Sequence, residues 1–172
     1  AITIASRLVV MQDSFVLQVD SPHNLYDFPT NQFVAGFIGS PQMNFFNVKL
    51  AKEGQDVVAT WGENKIVVPN SKVSKFVDES YIGKEVVMGI RPENMHDDPA
   101  ILSTYPQATV DMTVEVAELM GSETYLYMKT TGKEDNIIAR VDPRTTSRPG
   151  SQIKIAFDVN PLHFFDKETE KT

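Results

Sequence analysis

Cysteine is absent from this chain of 172 residues, which excludes disulfides and thiolate metal sites and is consistent with a reducing cytosol. No apolar run reaches the length of about 18 residues that a membrane-spanning helix requires. Basic residues are in the minority, with 16 against 23 acidic ones and a net charge of −7. Because phosphate neutralisation requires a basic surface, this balance argues against nucleic acid as a partner.

The sequence also lacks the motifs of phosphate binding and of nucleophilic catalysis. A P-loop needs glycines at fixed spacing before a Lys-Ser/Thr pair. The two Gly-Lys pairs, Gly83-Lys84 and Gly132-Lys133, are each followed by glutamate and have no upstream glycine at that spacing. There is no Gly-x-Ser-x-Gly elbow for a catalytic serine either. We therefore expect this chain to hold no nucleotide, no other cofactor and no catalytic residue.

Metal ligands are equally sparse. The three histidines are far apart, and His96-Asp97-Asp98 is the one cluster with suitable donor types. It stands directly before Pro99 in a predicted loop, where solvated polar residues are common. We therefore interpret the cluster as a solvated loop and expect no metal site.

The first 20 residues predict a β-hairpin. Residues 7–11 and 15–19 have strand character and are joined by the tight link Gln12-Asp13-Ser14. Ser21-Pro22 then supplies an N-cap and a first-turn proline for a short helix that extends through Asp27.

A second short helix is predicted before the chain changes character. Its N-cap is Thr30 or Asn31, and residues 33, 34, 37 and 38 form one apolar face. Gly39-Ser40-Pro41 ends it and is the expected domain boundary.

Beyond that boundary the pattern changes to short strands. They are predicted at residues 43–50, 57–61, 65–68, 84–90, 108–116, 124–130, 136–141 and 153–157, with a short helix at 71–76. Many short strands with Gly, Pro and Asp turns predict a mainly β fold, a small closed or partly closed barrel such as the OB type, although spacing alone does not select a barrel over a sandwich. The charged tail, residues 166–172, is expected to fray.

Four short motifs occur in order along the chain: Ala5–Met11, Phe33–Pro41, Gly89-Ile90-Arg91-Pro92-Glu93 and Leu162-His163-Phe164-Phe165-Asp166. By composition alone, Arg91-Pro92-Glu93 is either a strand exit, where proline favours an extended residue before it, or an interface in which the Arg91 fork holds a carboxylate. Together the four motifs resemble the C-terminal part of the sugar-importer ABC ATPases of the maltose and multiple-sugar type.

The resemblance implies two parts. Residues 1–40 are similar to the end of the nucleotide-binding domain, and residues 41–172 to the regulatory barrel called TOBE or MOP-like. It also implies that the Walker motifs, the signature loop and the switch histidine precede Ala1. ATP and Mg²⁺ would then belong to the parent protein, which would be an ATPase, while this chain would not itself be catalytic.

The resemblance further implies a regulatory and dimerisation module. Its expected partners are a second copy of the chain, permease subunits reached through the parent ATPase, and a regulatory protein of the sugar-phosphotransferase system, at the cytoplasmic face of the membrane. The implied interface or regulatory residues are Gly89, Arg91, Pro92, Glu93, Glu118, Gly121, Glu123, Phe164 and Asp166. The alternative is a barrel that binds a small molecule or oxyanion, to which Arg140 and Arg148 would contribute.

Two positions depart from the family pattern. Asp13-Ser14 stands where Asp-Gly is usual in the hairpin turn, and Asp20 stands where a glycine usually precedes Ser21-Pro22. We expect a strained or rearranged backbone there, because glycine alone adopts positive φ without cost. The hairpin, without the rest of its sheet, is expected to pack on the barrel, to pair with a second copy or to be disordered.

Overall fold

The computed structural model of the chain describes residues 5–39, 41–72 and 79–172. Three helices of six residues are described in full: α1 (Pro22–Asp27), α2 (Gln32–Phe37) and α3 (Pro99–Thr104). The strands are β1 (Leu8–Gln12), β2 (Phe15–Asp20), β3 (Asn44–Glu53), β4 (Asp56–Trp61), β5 (Asn64–Val68), β6 (Glu85–Ile90), β7 (Met95–His96), β8 (Thr109–Leu119), β9 (Thr124–Lys129), β10 (Ile137–Val141), β11 (Gln152–Phe157) and β12 (His163–Phe165). Within the described ranges, no helix is long and apolar enough to cross a membrane.

The predicted hairpin and the two helices that follow it are present. β1 and β2 pair in an antiparallel two-stranded sheet. The Ser21 hydroxyl caps α1 by accepting a hydrogen bond from the Asn24 backbone N–H at 3.2 Å. Asn31, rather than Thr30, caps α2, since its side chain accepts from the Val34 N–H at 2.9 Å.

One face of the hairpin is buried against the helices. Val10 of β1 packs with Leu25, Val34 and Ile38 in a small apolar cluster. The hairpin also carries five exposed apolar side chains: Val9, Met11, Phe15, Val16 and Val19. The hairpin is ordered and packs on its own helices, an arrangement that was not among those expected, while pairing with a second copy stays a prediction. We call residues 5–39 the N-terminal unit.

The rest of the chain forms two five-stranded sheets around one core. Their strand orders are β12-β6-β3-β4-β5 and β10-β9-β8-β11-β7. A single apolar cluster contains residues from both sheets, and β10 also contacts β7 across the second sheet, which brings that sheet close to closure. The prediction of a mainly β, barrel-type fold is confirmed, and we call residues 41–172 the barrel.

Hydrogen bonds and a close approach of two turns join the sheets. The buried Asn44 side chain of β3 accepts from the Ile138 N–H and donates to the Ile138 carbonyl, both at 2.9 Å. At the hairpin turns, the backbones of Gly62 and Gly132 lie so close that a Cβ on Gly132 would stand 2.4 Å from the Gly62 nitrogen. Any larger residue at either position would separate the turns.

Several elements differ from the sequence-based expectations. The strands β7 and β12 were not predicted, because each is too short to show a period. The helix α3 was missed although Asp98-Pro99 supplies the same N-cap and proline signal as Ser21-Pro22, because that segment was interpreted as a loop. Of the helix predicted at 71–76, Ser71 and Lys72 are helical, and residues 73–76 lie outside the described residues.

The expectation of a frayed tail is wrong. The Asp166 N–H donates to the Lys171 carbonyl, the Gln32 N–H of α2 donates to the Glu170 carbonyl, both at 2.8 Å, and Lys171 forms a bridge with Asn31. The tail is held because the Glu170 carbonyl accepts from the Gln32 N–H, a donor at the start of α2 that has no partner within the helix.

The hairpin turn keeps its positive-φ geometry without glycine, since φ is +50° at Asp13 and +69° at Ser14. Serine pays a conformational cost there that glycine does not. We expect Ser14→Gly to raise the free energy of unfolding by about 1 kcal/mol, measured by urea denaturation. Ser103→Gly, inside α3, is the matched control and is expected to lower it by about 0.5 kcal/mol. A loss of stability in Ser14→Gly would contradict the strain.

Candidate functional site

The most deeply buried charge of the structure's described part is Arg91, which directly follows β6. Its side chain is 3% exposed. Nη1 donates to the Ile38 carbonyl at 2.7 Å, and Nη2 donates to the Tyr26 carbonyl at 2.8 Å. The guanidinium also lies over the Tyr26 ring, 3.7 Å from its centroid. Arg91 therefore joins the barrel to the N-terminal unit.

The partners of Arg91 are the carboxyl ends of two helices. Tyr26 lies in the last turn of α1, and Ile38 is the residue that ends α2. Carbonyls at a helix C-terminus lack partners within the helix and carry partial negative charge, so two helix ends attract one cation. Burial lowers the pKa of Arg91 to about 10, and nearby Asp27 offsets part of this effect. The guanidinium of Arg91 thus binds two backbone carbonyls. The carboxylate partner that was proposed for Arg91 in an interface is not observed among the described residues.

The residues around Arg91 are packed and not exposed. A Cβ on Gly89 would stand 2.4 Å from the Met43 sulfur, so a larger residue there would displace the buried Met43 side chain. Pro92 is buried at the start of a 3₁₀ turn, and Phe164 is buried in the barrel core. Glu93 is partly buried beside Arg91 in a cavity of about 370 Å³. Of these candidates, Gly89, Pro92 and Glu93 surround or adjoin Arg91 at the junction between the two parts, while Phe164 belongs to the barrel core.

Asp166 shapes the second attachment of the N-terminal unit. Its carboxylate accepts hydrogen bonds from the Glu168 and Thr169 N–H groups and from the Tyr81 hydroxyl, all at 2.9 Å. These bonds, the Thr169 N–H foremost, lower the pKa of Asp166. The turn they define directs Glu170 and Lys171 to the start of α2. Asp166 therefore positions the tail.

Three of the candidates lie elsewhere, at the turn between β8 and β9. Glu118 and Gly121 are exposed, and Glu123 pairs with Arg140 at 3.0 Å. Two large apolar side chains stand between them, Leu119 at 67% and Met120 at 47% exposure. The structure thus divides the predicted residues into a buried junction and an exposed hairpin tip, which we call the β8–β9 tip.

The polar residues considered for metal or oxyanion binding have structural partners. Asp97 accepts from the Thr145 and Ser147 hydroxyls, and Asp98 caps α3 by accepting from the Ala100 N–H. Arg148 donates to the carbonyls of residues 145 and 147. No group of three metal-ligating side chains occurs within residues 5–39, 41–72 and 79–172.

Sequence reasoning missed the acceptors of the junction. Tyr26 and Ile38 contribute backbone carbonyls, which have no signature in the side-chain pattern. Asn44 was also missed, although a lone amide in an apolar strand is a signal of a buried hydrogen bond.

Two family models match the barrel. Residues 39–95 match the MalK OB fold domain, and residues 88–165 match the TOBE domain. The two matches overlap at residues 88–95, the segment that contains Arg91.

Curated relatives match along the whole chain. The oligosaccharides import ATP-binding protein MsmX of Bacillus subtilis is 42% identical over 99% of this chain and 45% of its own length. The multiple sugar-binding transport ATP-binding protein MsmK of Streptococcus mutans is 40% identical over 99% of this chain and 46% of its own. The chain therefore spans just under half the length of these relatives.

A solved structure shows the same fold at low identity. The cytoplasmic molybdate-binding protein ModG has a TM-score of 0.50 and 17% identity, and the match covers 70% of this chain and 94% of ModG. It carries no information on the ligand of this chain.

The fold and the matched models define the class: an OB and TOBE barrel, preceded by a hairpin and two helices. The chain contains a MalK OB fold domain and a TOBE domain, and its homologues over 99% of its length are sugar-import ABC transporter ATP-binding proteins.

We expect Arg91→Met to detach the N-terminal unit, because the Tyr26 and Ile38 carbonyls lose their donors. Hydrogen bonds to a charged group contribute about 1.5–3 kcal/mol each, so backbone amides of α1 and α2 should exchange at least tenfold faster. Hydrogen exchange with mass spectrometry measures this. Arg144→Met is the control, since the Arg144 side chain is 88% exposed. Unchanged protection of both helices in Arg91→Met would contradict the role of Arg91.

His163 makes the stability of the junction depend on pH. Burial, with Arg91 and Lys72 nearby, lowers the pKa of His163 from 6.5 to about 4. Below pH 6.5 the unfolded chain takes up a proton that the folded one does not, so stability falls as pH falls from 6.5 towards 4. We expect a loss of about 1 kcal/mol between pH 7 and 5.5, measured by urea denaturation. The free energy of unfolding of His163→Gln should fall less over this pH interval. An equal fall in both proteins would contradict the role of His163 in the pH dependence.

Proposed function

We propose that this chain is the regulatory and dimerisation module of a carbohydrate-import ATPase subunit. The parent protein would bind ATP and Mg²⁺ and couple hydrolysis to sugar uptake through permease subunits, on the cytoplasmic face of the membrane. The module itself would not be catalytic. The similarity to two sugar-import ATP-binding proteins over 99% of the chain supports this proposal.

The observation that carries the proposal is the attachment of the N-terminal unit to the barrel at two places. Arg91 holds the carboxyl ends of α1 and α2, and the tail holds the amino end of α2 through Gln32 and Asn31. Ala35 also packs with Met43 in a shared apolar cluster. A displacement of the N-terminal unit would therefore move the barrel with it, which is what a module that follows an ATPase cycle requires.

For dimerisation we propose the β8–β9 tip as the contact. This hairpin carries three apolar side chains that are about half exposed or more, namely Val116, Leu119 and Met120. A twofold contact brings the same surface of both copies together, so three apolar side chains per copy become six. A patch of this size supports a weak dimer that forms at high concentration.

A regulatory protein of the sugar-phosphotransferase system is the second partner that we propose. It would bind an exposed surface of the barrel, because the residues of the Arg91 junction are buried. The rival interpretation, an oxyanion-binding barrel, gains no support from its two candidate cations, since Arg140 pairs with Glu123 and Arg148 donates to backbone carbonyls.

We expect concentration-dependent dimerisation in sedimentation velocity, and at least tenfold weaker self-association in Leu119→Asp, because a charge would be buried against the twofold partner. Phe15→Asp is the matched control: Phe15 is 73% exposed on the hairpin of the N-terminal unit, away from the proposed contact. A strictly monomeric wild type at high concentration would reject the dimer. An equal loss of association in both variants would reject the β8–β9 tip as its contact.

A further inference from the structure

A polar groove runs along the junction between the N-terminal unit and the barrel. It consists of two adjoining cavities of about 720 and 370 Å³ that share Gln32, Gln42 and Phe45. Gln32 belongs to α2, Gln42 follows the N-terminal unit, and Phe45 belongs to β3. The groove lies apart from the cavity beside Arg91 and His163, which has a different lining.

Side-chain amides dominate the polar lining of the groove. Gln32, Gln42, Asn47 and Asn136 all line it, and three of them are exposed. Their amides form no hydrogen bond with the residues that the structure describes, in contrast to Asn44 nearby, whose amide joins the two sheets. Each carboxamide offers both a donor and an acceptor. With Gln12, which lines the smaller cavity, the groove therefore presents five mixed donor–acceptor groups to a ligand.

The charge of the groove is unfavourable for anions. Glu134 and Asp135 line the larger cavity, and Glu170 lines the smaller one. Lys133 is the basic residue among the lining groups, and its ammonium group already donates to the Phe45 carbonyl at 2.7 Å. Burial lowers the pKa of Lys133, although Asp135 offsets part of that effect. Phosphate, sulfate or molybdate would meet carboxylates here.

An aromatic wall forms the other end of the groove. Phe33 and Phe37 line the smaller cavity, with rings stacked at 5.7 Å, and the Phe37 side chain is 63% exposed. The Phe45 ring is fixed against Gly36, where an added Cβ would stand 3.1 Å from it. The wall offers apolar surface directly beside the amides.

We propose that this groove binds a neutral polyhydroxylated ligand, a sugar or short oligosaccharide. Hydroxyls both donate and accept, so they match carboxamides and carboxylates, while the apolar C–H face of a sugar ring fits an aromatic wall. An organic cation would offer donors alone, so it would match the carbonyl oxygen of each amide but not the N–H groups. The proposal is based on the lining of the groove and does not depend on the regulatory function or on dimerisation.

Isothermal titration calorimetry of the whole chain with glucose, maltotriose and raffinose tests the site. We expect binding of at least one of them, and about five- to tenfold weaker binding in Gln42→Ala and in Asn136→Ala, since each variant loses about 1 kcal/mol of hydrogen bonding. Phe37→Ala should weaken it by a similar factor. Gln42, Asn136 and Phe37 are exposed, so these variants should fold. Gln152→Ala, an exposed glutamine of β11 outside the groove, is the matched control and should bind as the wild type does.

Spermidine and sulfate are the competing probes. Absence of heat with all three sugars overturns the proposal, and so does sugar binding that the groove variants leave unchanged. Tighter binding of spermidine or sulfate, weakened by the same variants, would also overturn it, because the groove would then select charge. Sedimentation of the same samples keeps the result separate from dimerisation: a monomer that binds sugar supports the site while rejecting the dimer.

Discussion

A buried cation at the end of β6 fixes the arrangement of the whole chain. Burying a guanidinium is costly unless its donors are satisfied, and Arg91 satisfies two of them with the carbonyls of Tyr26 and Ile38. Those carbonyls converge only if α1 and α2 end where they do and pack side by side. Lysine could not replace this planar fork, since its single ammonium cannot span two carbonyls in the same geometry. Arg91 Nε has no acceptor among the described residues, so the site is held by its two terminal nitrogens.

The sequence predicted most of the strands but not the junction. The alternation in β8 and the apolar run in β6 both predict strands. The order of apolar and polar residues within each segment already indicates whether one or both faces of the strand are buried. The acceptors of Arg91 are backbone atoms more than 50 residues away, and no pattern of side chains specifies them. The charged tail was expected to fray for a similar reason. Its backbone bonds to α2 depend on Asp166 shaping a turn, while its composition resembles that of a free terminus.

Some of the residues that the resemblance implies are buried in the fold, and others are exposed. Gly89 is confined by Met43 and Phe165, so its identity follows from packing. Glu118 and Gly121 lie on a solvent-exposed turn, where packing demands no particular residue, and Gly121 needs only its φ of +79°. The residues implied by the resemblance therefore have two different physical origins in this chain. The buried part maintains the geometry of the junction, and the exposed part is where a partner can make contact.

The proposed sugar groove and the Arg91 junction are energetically linked because both involve α2. Gln32 lies on α2 and Asn136 on the barrel, so a ligand that bonds to both favours the arrangement in which these parts are joined. A junction already held by Arg91 and the tail reduces the ordering cost of binding, since the groove exists before the ligand arrives. The coupling is reciprocal: a displacement of α2 would weaken ligand binding, and bound ligand would oppose the displacement, by the same free energy. A ligand in this groove would thereby oppose movement of α2 relative to the barrel, since α2 is the one element that both attachments hold.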